Sequence, residues 1–233
     1  MHAHSRAVSS NQPDIHDRLS DHVRKHASTG FLKPISAVSR TAFEQSIALW
    51  QASGPLPLII DAGCGVGLST RRLAVQYPEA FVIGIDQSAD RLQRDVRWHG
   101  PMPGNYITVR ADLVDYWRLM HAHRIHPRRH YLLYPNPWPK KQHLGRRWHG
   151  HPVFPTITAL GGHLECRSNW KIYVDELAMA LRLLTGIDVP TEPFMPETDA
   201  PLTPFEEKYT ASGHALWRCR VTLPDSSGTA RAL

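Results

Sequence analysis

The strongest constraint on the fold lies in residues 58–67, where an apolar run reaches an acidic residue and three alternating glycines follow. This pattern predicts a buried parallel strand that breaks into a tight turn and opens a helix. Glycine lets the backbone bend sharply and lets a ligand approach the main chain closely. A second apolar run, residues 80–85, ends at Asp86, about 20 residues beyond the glycines, where a carboxylate can accept hydrogen bonds from ribose hydroxyls. Together the two runs predict a nucleoside cofactor.

The charge at the turn separates two kinds of cofactor. A dinucleotide site has G-x-G-x-x-G and binds pyrophosphate at the helix N-terminus. Here Leu68 replaces the last of those glycines, and a carboxylate would repel pyrophosphate but suits S-adenosylmethionine, which carries an ammonium and a sulfonium. D-x-G-x-G-x-G with a distant Asp resembles the cofactor motif of class I methyltransferases; the alternative is a glycine-rich turn in another α/β protein. The predicted cofactor residues are Asp61, Gly63, Gly65 and Asp86.

Strand-like and helix-like segments alternate after this turn, and the rhythm predicts a doubly wound, mostly parallel α/β sheet. Strands are predicted at residues 81–85, 106–110 and 131–134, helices at 68–77 and 89–98, and an antiparallel last strand at 215–223. Ligands of such sheets bind at the carboxyl ends of the strands. The likeness to class I methyltransferases implies that Asp112, which follows the third strand, lies beside the adenine. The alternative for Asp112 is a solvated acid that caps the next helix.

Basic residues are concentrated in one part of the chain. The net charge is +6, yet residues 116–164 contain eight Lys or Arg and no Asp or Glu. One interpretation is a solvated face, but the absence of compensating acids favours a surface that binds phosphates. Histidines are also dense in this segment. They lack the fixed spacing and the Cys or carboxylate partners of a metal site, so no metal is predicted.

A proline-rich loop follows the fourth strand within this basic segment. Two prolines on either side of Asn136 fix a rigid turn. Trp138 and Trp148 could stack a base, and core packing is the alternative for each. The predicted phosphate-binding residues are Lys140, Lys141, Arg146 and Arg147.

The loop resembles the signature of bacterial tRNA (guanine-N7)-methyltransferases, which is close to P-D-P-W-x-K-x-R-H-x-K-R-R. Residues 160–173 resemble the family's fifth strand with T-D-W and Tyr, and residues 203–208 resemble its T-x-F-E motif. The resemblance covers roughly residues 56–222. It implies methyl transfer from S-adenosylmethionine to guanine N7 in tRNA. It also implies a pocket with Asn136 and Asn169 as catalytic residues and Thr203 and Glu206 as substrate-binding residues.

Two departures from the family pattern bear on the acceptor, because asparagine stands at positions 136 and 169 where the family has aspartate. Guanine presents N1–H and N2–H₂ as donors, and a carboxylate accepts both, whereas asparagine offers one acceptor oxygen and two donors. Methyl transfer to N7 needs no proton removal, so alignment and electrostatics can supply catalysis. Two alternatives follow: a methyltransferase with a different RNA or small-molecule acceptor, and an RNA-binding protein that has lost catalysis.

Composition sets the expected organisation and location. Residues 1–30 are predicted to form a flexible arm, residues 31–224 a class I methyltransferase domain, and residues 225–233 a flexible tail. Three widely spaced cysteines make no disulfide framework, which favours a reducing compartment. The sequence has neither an apolar run of membrane length nor the apolar core of a signal peptide, so a cytoplasmic protein is predicted. The predicted partner is tRNA, and a monomer is favoured.

Overall fold

One seven-stranded sheet forms the centre of the computed structural model, which describes residues 5–196 and 201–224. The strands are β1 (Leu58–Ala62), β2 (Phe81–Asp86), β3 (Tyr106–Arg110), β4 (Arg129–Leu133), β5 (Gly162–Ser168), β6 (Thr191–Phe194) and β7 (Leu216–Leu223). Their order is β3-β2-β1-β4-β5-β7-β6. Neighbours from β3 to β5 pair in parallel, and β7 runs antiparallel to both β5 and β6. The predicted fold class and the antiparallel last strand are therefore confirmed.

Helices cover both faces of the sheet. They are α1 (Leu19–Ser28), α2 (Ala37–Ala52), α3 (Leu68–Gln76), α4 (Ala89–Leu92), α5 (Leu113–Ala122), α6 (Phe154–Ala159), α7 (Lys171–Thr185) and α8 (Pro204–Ala211). Two short 3₁₀ helices, Lys141–Arg146 and Trp148–Gly150, lie between β4 and α6. Strand order reverses at β1 and β4: β2 and β3 follow on one side of this pair, and β5, β7 and β6 follow on the other. This reversal creates a crevice at the carboxyl ends of β1 and β4.

The alternation of side chains along β1 explains the two core layers. Leu58, Ile60 and Ala62 point to one face and join the cluster that holds α2, α5 and α7. Ile59 points to the other face and packs with α3 through Leu73. Because successive strand residues point to opposite faces, Asp61 lies on the α3 side with Ile59. This placement brings the carboxylate under the first turn of α3.

Two local features differ from the predictions. The stretch expected to be a flexible arm contains α1, whose residues Leu19 and Val23 are buried one helical turn apart. Polar and histidine residues around this apolar pair obscured the helical period. The helix predicted for residues 89–98 ends at Leu92. No residue of α4 is buried, so tertiary packing gives a longer helix no support.

Other parts of the predicted organisation fall outside what the structure describes. The tail expected at residues 225–233 lies outside the described residues, as do residues 1–4 of the expected arm. Among the helices of the described ranges, none is long and apolar enough to cross a bilayer.

Candidate functional site

The turn between β1 and α3 has the backbone that its glycines predict. Gly63, Gly65 and Gly67 have φ values of 81°, 60° and 74°, a region that disfavours side chains. Gly63 N and Cys64 N donate to Ile85 O at 2.8 and 3.0 Å, so the turn is bound to the end of β2. A Cβ placed on Gly65 would meet no heavy atom of the described residues within 4 Å. The turn therefore leaves open space beside its backbone.

Asp61 lies beneath this turn and is 1% exposed. Its Oδ2 accepts hydrogen bonds from Ser69 Oγ at 2.6 Å and Thr70 Oγ1 at 2.8 Å. Its Oδ1 is also buried but has no hydrogen-bond partner in the part of the chain that the structure describes. Burial raises the pKa of Asp61 to about 6, against the two hydroxyl hydrogen bonds, which lower it. A buried oxygen of this kind is suited to a cationic ligand.

Asp86 ends β2 and supports the turn directly. Its Oδ2 accepts from Gly65 N at 3.0 Å, and its Oδ1 accepts from Ser88 N at 2.8 Å. Arg91 Nη1 lies 3.6 Å from Asp86 Oδ2. The structure thus brings Asp61, Gly65 and Asp86 to one edge of the sheet, as predicted. Ser69, Thr70 and Arg91 were not predicted, although the hydroxyl pair on the first turn of α3 is visible in the sequence.

Asp112 follows β3 and has the alternative role that the sequence left open. Its Oδ1 accepts from Val114 N at 2.9 Å and caps α5, while its Oδ2 pairs with Lys33 Nζ at 3.0 Å. A cleft of about 420 Å³ lies beside these groups. Gln87 and Ala111, which follow β2 and β3, line this cleft together with Ile35.

Residues 135–141, called here the proline loop, leave the carboxyl end of β4. Asn136 is exposed, and its Oδ1 accepts from Trp138 N at 3.3 Å. Tyr134 and Trp138 have positive φ values of 50° and 45°, which side chains rarely adopt. The loop therefore depends on its surroundings to keep its shape.

Asn169 follows β5 at the same edge of the sheet. Its Nδ2 lies 3.2 Å from His214 Nδ1, and His214 precedes β7. His214 Nε2 lies 2.9 Å from Ser5 O, so the ring donates to that carbonyl and accepts from Asn169. Because β7 is antiparallel, its start returns to the carboxyl ends of β4 and β5. Asn136 and Asn169 consequently occupy one edge, as predicted, and His214 was not anticipated.

Thr203 and Glu206 stabilise the framework of this edge instead of presenting free polar atoms. Thr203 Oγ1 caps α8 by accepting from Glu206 N at 3.0 Å. Glu206 is 0% exposed, and its Oε1 accepts from Tyr134 Oη at 2.9 Å and Arg167 Nη1 at 3.0 Å. The predicted substrate-binding role is corrected for both, because these hydrogen bonds already engage their side chains. Glu206 bonds Tyr134, the residue that precedes the proline loop.

The four predicted phosphate-binding residues divide by exposure. Lys140 and Arg146 are exposed, and the Arg146 guanidinium lies 4.7 Å from the centroid of the Trp138 ring. Lys141 Nζ pairs with Asp17 at 3.0 Å. Arg147 is 0% exposed, so its predicted contact with phosphate is wrong; a buried carboxylate already binds this guanidinium.

Trp138 and Trp148 also differ in their surroundings. Trp138 is partly exposed and lies near Arg146 and His143. Trp148 packs edge-to-face on the buried Trp117 with the ring centroids 4.8 Å apart. Core packing is therefore the role of Trp148, whereas base stacking by Trp138 stays a prediction.

Part of the basic segment lies at the opposite edge of the sheet. Arg128 N donates to Leu58 O at 2.8 Å, which places it at the amino end of β1. Arg124 and Arg128 are exposed there. A cleft of about 760 Å³, larger than the one beside Asp112, opens at this edge. Asp61, Asp86, Asn136 and Asn169 all lie at the carboxyl edge, so none of these four predicted site residues lines the larger cleft.

Metal ligation has no candidate in residues 5–196 and 201–224, where no group of three or more His, Cys, Asp or Glu side chains could hold an ion. The three cysteines are buried and free. Burial raises the pKa of the Cys64 thiol beneath the glycine turn, so this thiol stays protonated.

Comparison with known proteins identifies the family by sequence and finds a similar fold. A family model described as "Putative methyltransferase" matches residues 55–219. The tRNA (guanine-N(7)-)-methyltransferase of Thiobacillus denitrificans is 25% identical over 166 residues, which span 69% of this chain and 73% of that protein. Its counterpart from Bordetella pertussis is 27% identical over 207 residues, 78% of this chain and 79% of that protein. The crystal structure of the 16S rRNA methyltransferase KamB has a TM-score of 0.53 at 16% identity and covers 82% of this chain and 96% of its own. The predicted resemblance is confirmed.

Proposed function

Since the chain belongs to the methyltransferase family whose model matches residues 55–219, we propose that it transfers a methyl group from S-adenosylmethionine to guanine N7 in tRNA. The observation that carries the proposal is the pairing of two features at one edge of the sheet. One is a buried carboxylate beneath a glycine turn, with an oxygen that has no hydrogen-bond partner among the described residues. The other is a rigid basic loop on the neighbouring strand β4.

The donor side fits S-adenosylmethionine, which when bound supplies an electrophilic methyl group on its sulfonium. Asp61 Oδ1 would accept from the ammonium and gain a hydrogen-bond partner, which residues 5–196 and 201–224 do not supply. Asp86 would accept from the ribose hydroxyls, because its carboxylate accepts from the backbone N–H groups of Gly65 and Ser88 and has further acceptor capacity. The cleft beside Gln87 and Ala111 would take the adenine.

The acceptor side needs alignment more than proton transfer. The N7 atom of guanine has a free lone pair, so no residue has to act as a general base. Asn136 and Asn169 would hold the edge of the base by hydrogen bonds. Trp138 would stack a base, and Lys140 and Arg146 would bind phosphates. These roles support a reaction in which the chain orients the base toward the methyl group.

A second candidate is methyl transfer by the same fold to a different acceptor. The two asparagines favour it, because each offers donor hydrogens at a position where the guanine-specific pattern has only acceptor oxygens. The hydrogen-bond partner of Asn169 is not a carboxylate either, since its Nδ2 lies beside His214 Nδ1. The choice between the two candidates therefore concerns the acceptor and leaves the donor unchanged. A cytoplasmic location, where tRNA is available, belongs to the first proposal.

Isotope transfer followed by nucleoside analysis tests the proposal. The protein is incubated with S-adenosylmethionine labelled in the methyl group and with total tRNA, and the RNA is digested to nucleosides for mass spectrometry. We expect label in 7-methylguanosine, and roughly 10-fold less of it with the Asp61→Asn variant at the same cofactor concentration, chosen below the wild-type Kd. Label in any other nucleoside would support the second candidate. A protein that binds S-adenosylmethionine but labels no RNA or small-molecule extract would contradict both.

A further inference from the structure

The N-terminal segment crosses the outside of the proline loop. Residues 10–17, called here the strap, bind the loop's backbone at three points. Ser10 Oγ donates to Pro139 O at 2.6 Å, Lys141 N donates to Asn11 Oδ1 at 3.1 Å, and His16 Nε2 lies 3.1 Å from Lys141 O. A segment distant in sequence thus satisfies backbone groups of the loop that follows β4.

Arg147 binds the same loop from the inside. Its Nε and Nη2 lie 3.2 and 3.1 Å from Trp138 O, and Nη2 also donates to Lys140 O at 3.4 Å. Its Nη1 donates to Glu176 Oε2 at 2.6 Å and to Gln12 Oε1 at 3.1 Å. These five bonds use all five N–H groups of a guanidinium. The planar fork therefore fixes the carbonyls of two loop residues at once.

Glu176 on α7 joins the strap to Arg147. Its Oε1 accepts from Gln12 Nε2 at 2.6 Å and from His16 N at 2.9 Å. Its Oε2 accepts from Arg147 and from His149 Nε2, the latter at 2.7 Å. Burial alone would raise the pKa of Glu176, but the hydrogen bonds and charges of His149 and Arg147 lower it to about 2. One ionised carboxylate in the core thus holds both the inner and the outer support of the loop.

The loop needs such support because its own backbone is unfavourable. Trp138 lies at a φ of 45°, a conformation that costs free energy for a residue with a side chain. The carbonyl oxygen of Trp138 accepts hydrogen bonds from two nitrogens of Arg147. The position of Asn136, whose Oδ1 bonds Trp138 N, is set by the same residue.

We propose that Arg147 and the strap are positioning elements for the acceptor, which hold Asn136 and Trp138 in the geometry that methyl transfer needs. This inference rests on the function proposed above. It replaces phosphate binding by Arg147 with a role acting through the loop backbone. It also gives residues 10–17 a part in the reaction, although they precede the region that the family model matches.

The strap can be tested without altering the core. The double variant Ser10→Ala/Asn11→Ala removes two contacts with the loop and leaves Glu176 and Arg147 intact. We expect kcat for tRNA methylation to fall about tenfold, with the melting temperature and the Kd for S-adenosylmethionine unchanged within error. Amide hydrogen exchange at Trp138 and Lys141 should become faster while exchange in the glycine turn stays the same.

Two controls separate positioning from general stability. Ser9→Ala changes an exposed side chain of the same segment and should match the wild type in every measurement. Ser10→Thr/Asn11→Asp restores a hydroxyl donor and an acceptor oxygen, and should recover most of the lost kcat. Arg147→Lys keeps the positive charge beside Glu176 but loses the planar guanidinium. The folded variant should therefore also show faster amide exchange in the proline loop.

The outcomes are distinct. Wild-type kcat and wild-type loop exchange in the strap variant would overturn the proposal. A fall in kcat that is accompanied by a lower melting temperature and weaker cofactor binding would also overturn the proposal, because it would indicate a purely structural segment. If the wild type itself methylates no RNA, the proposed function fails, and loop exchange alone then decides whether the strap and Arg147 position the loop.

Discussion

The two oxygens of Asp61 lie in different surroundings, and this difference shapes the donor site. Ser69 and Thr70 satisfy Oδ2, whereas Oδ1 is buried without a partner among the described residues. A buried polar atom left without a partner costs about 1–3 kcal/mol. The site is consequently better satisfied when a cation binds than when it is empty.

Cofactor affinity should depend on pH through Asp61. Burial raises its pKa to about 6, so the carboxylate is progressively protonated as the pH falls below that value. We expect the Kd for S-adenosylmethionine, measured by calorimetry between pH 5 and pH 8 (about one pH unit per step), to rise below about pH 6. Asp61→Asn should bind roughly 10-fold or more weakly at neutral pH and show a flatter pH profile. A wild-type Kd that is constant from neutral to acidic pH would contradict this assignment.

Stability of the ligand-free protein should respond to the same group with the opposite sign. A folded-state pKa raised above the ordinary 3.8 means that the folded state binds the proton more tightly than the unfolded state. The contribution of protonated Asp61 to the free energy of unfolding is therefore full below about pH 4 and is lost as the pH rises through about 6. Urea unfolding of the wild type and of Asp61→Asn across this pH range isolates the contribution of Asp61. The difference between the two proteins should change with pH only in that window.

Asn136 and Asn169 are the residues we propose to contact the acceptor, and restoring carboxylates at these positions distinguishes the two candidates. If the acceptor is guanine, Asn136→Asp/Asn169→Asp should raise methylation, because each buried donor it satisfies is worth about 1–3 kcal/mol. If the acceptor differs, the double variant should lower activity on the true substrate. Single variants are the controls, since a carboxylate at 169 would also face the His214 lone pair. An unchanged rate on every RNA would place both residues outside the pocket.

At the scale of secondary-structure elements, β2 and α3 approach closely enough to require glycine. A Cβ on Gly84 would lie 2.9 Å from Thr70 Cγ2 and 3.0 Å from Thr70 Cβ. These distances are shorter than ordinary contacts between carbon atoms. The close approach is what places the Thr70 hydroxyl against Asp61.

Gly84→Ala should therefore destabilise the protein by about 1–3 kcal/mol, since overpacking forces a shift of α3 or of the Thr70 side chain. Urea unfolding measures the change in the free energy of unfolding. Gly104→Ala is a matched control, because a Cβ there would meet no heavy atom of the described residues within 4 Å. Equal stability of the two variants would mean that α3 adjusts without cost.

The sequence was most informative where local chemistry alone determines the structure. The apolar run to Asp61, the alternating glycines and Asp86 predicted a strand, a turn and a second strand end, because glycine and periodicity act over a few residues. Arg147 and Glu176 were different. Their meeting depends on the packing of α7 against the segment after β4, and nothing in the spacing of residues 147 and 176 indicates it. Arg147 lies in a run of basic residues, so the sequence predicted it to be at the surface.

At the scale of the whole molecule, the acid-free segment supplies two separate surfaces. Lys140 and Arg146 lie with the proline loop at the carboxyl edge, whereas Arg124 and Arg128 are exposed in the loop before β4, at the amino edge. The strand β4 lies between the two pairs and carries the chain from the amino edge to the carboxyl edge.

Binding of tRNA should discriminate between these edges. Lys140→Ala/Arg146→Ala should weaken binding and reduce the slope of log Kd against log salt by about 2, since each phosphate contact contributes about 0.9. Arg124→Ala/Arg128→Ala changes the net charge equally and should leave the slope near the wild-type value. Fluorescence anisotropy over a range of salt concentrations measures both. A larger effect from the second pair would move the RNA surface to the amino edge.

The reversal of strand order at β1 and β4 divides the sheet into two sets of strands that share one crevice. The carboxylates assigned to the methyl donor lie at the ends of β1 and β2, whereas Asn136 and Asn169 follow β4 and β5. A change of residue on one side therefore leaves the other side's hydrogen bonds untouched. Such a scaffold can acquire a new acceptor by a few substitutions while its donor chemistry persists, which makes the ends of β4 and β5 the natural positions for directed evolution of this chain.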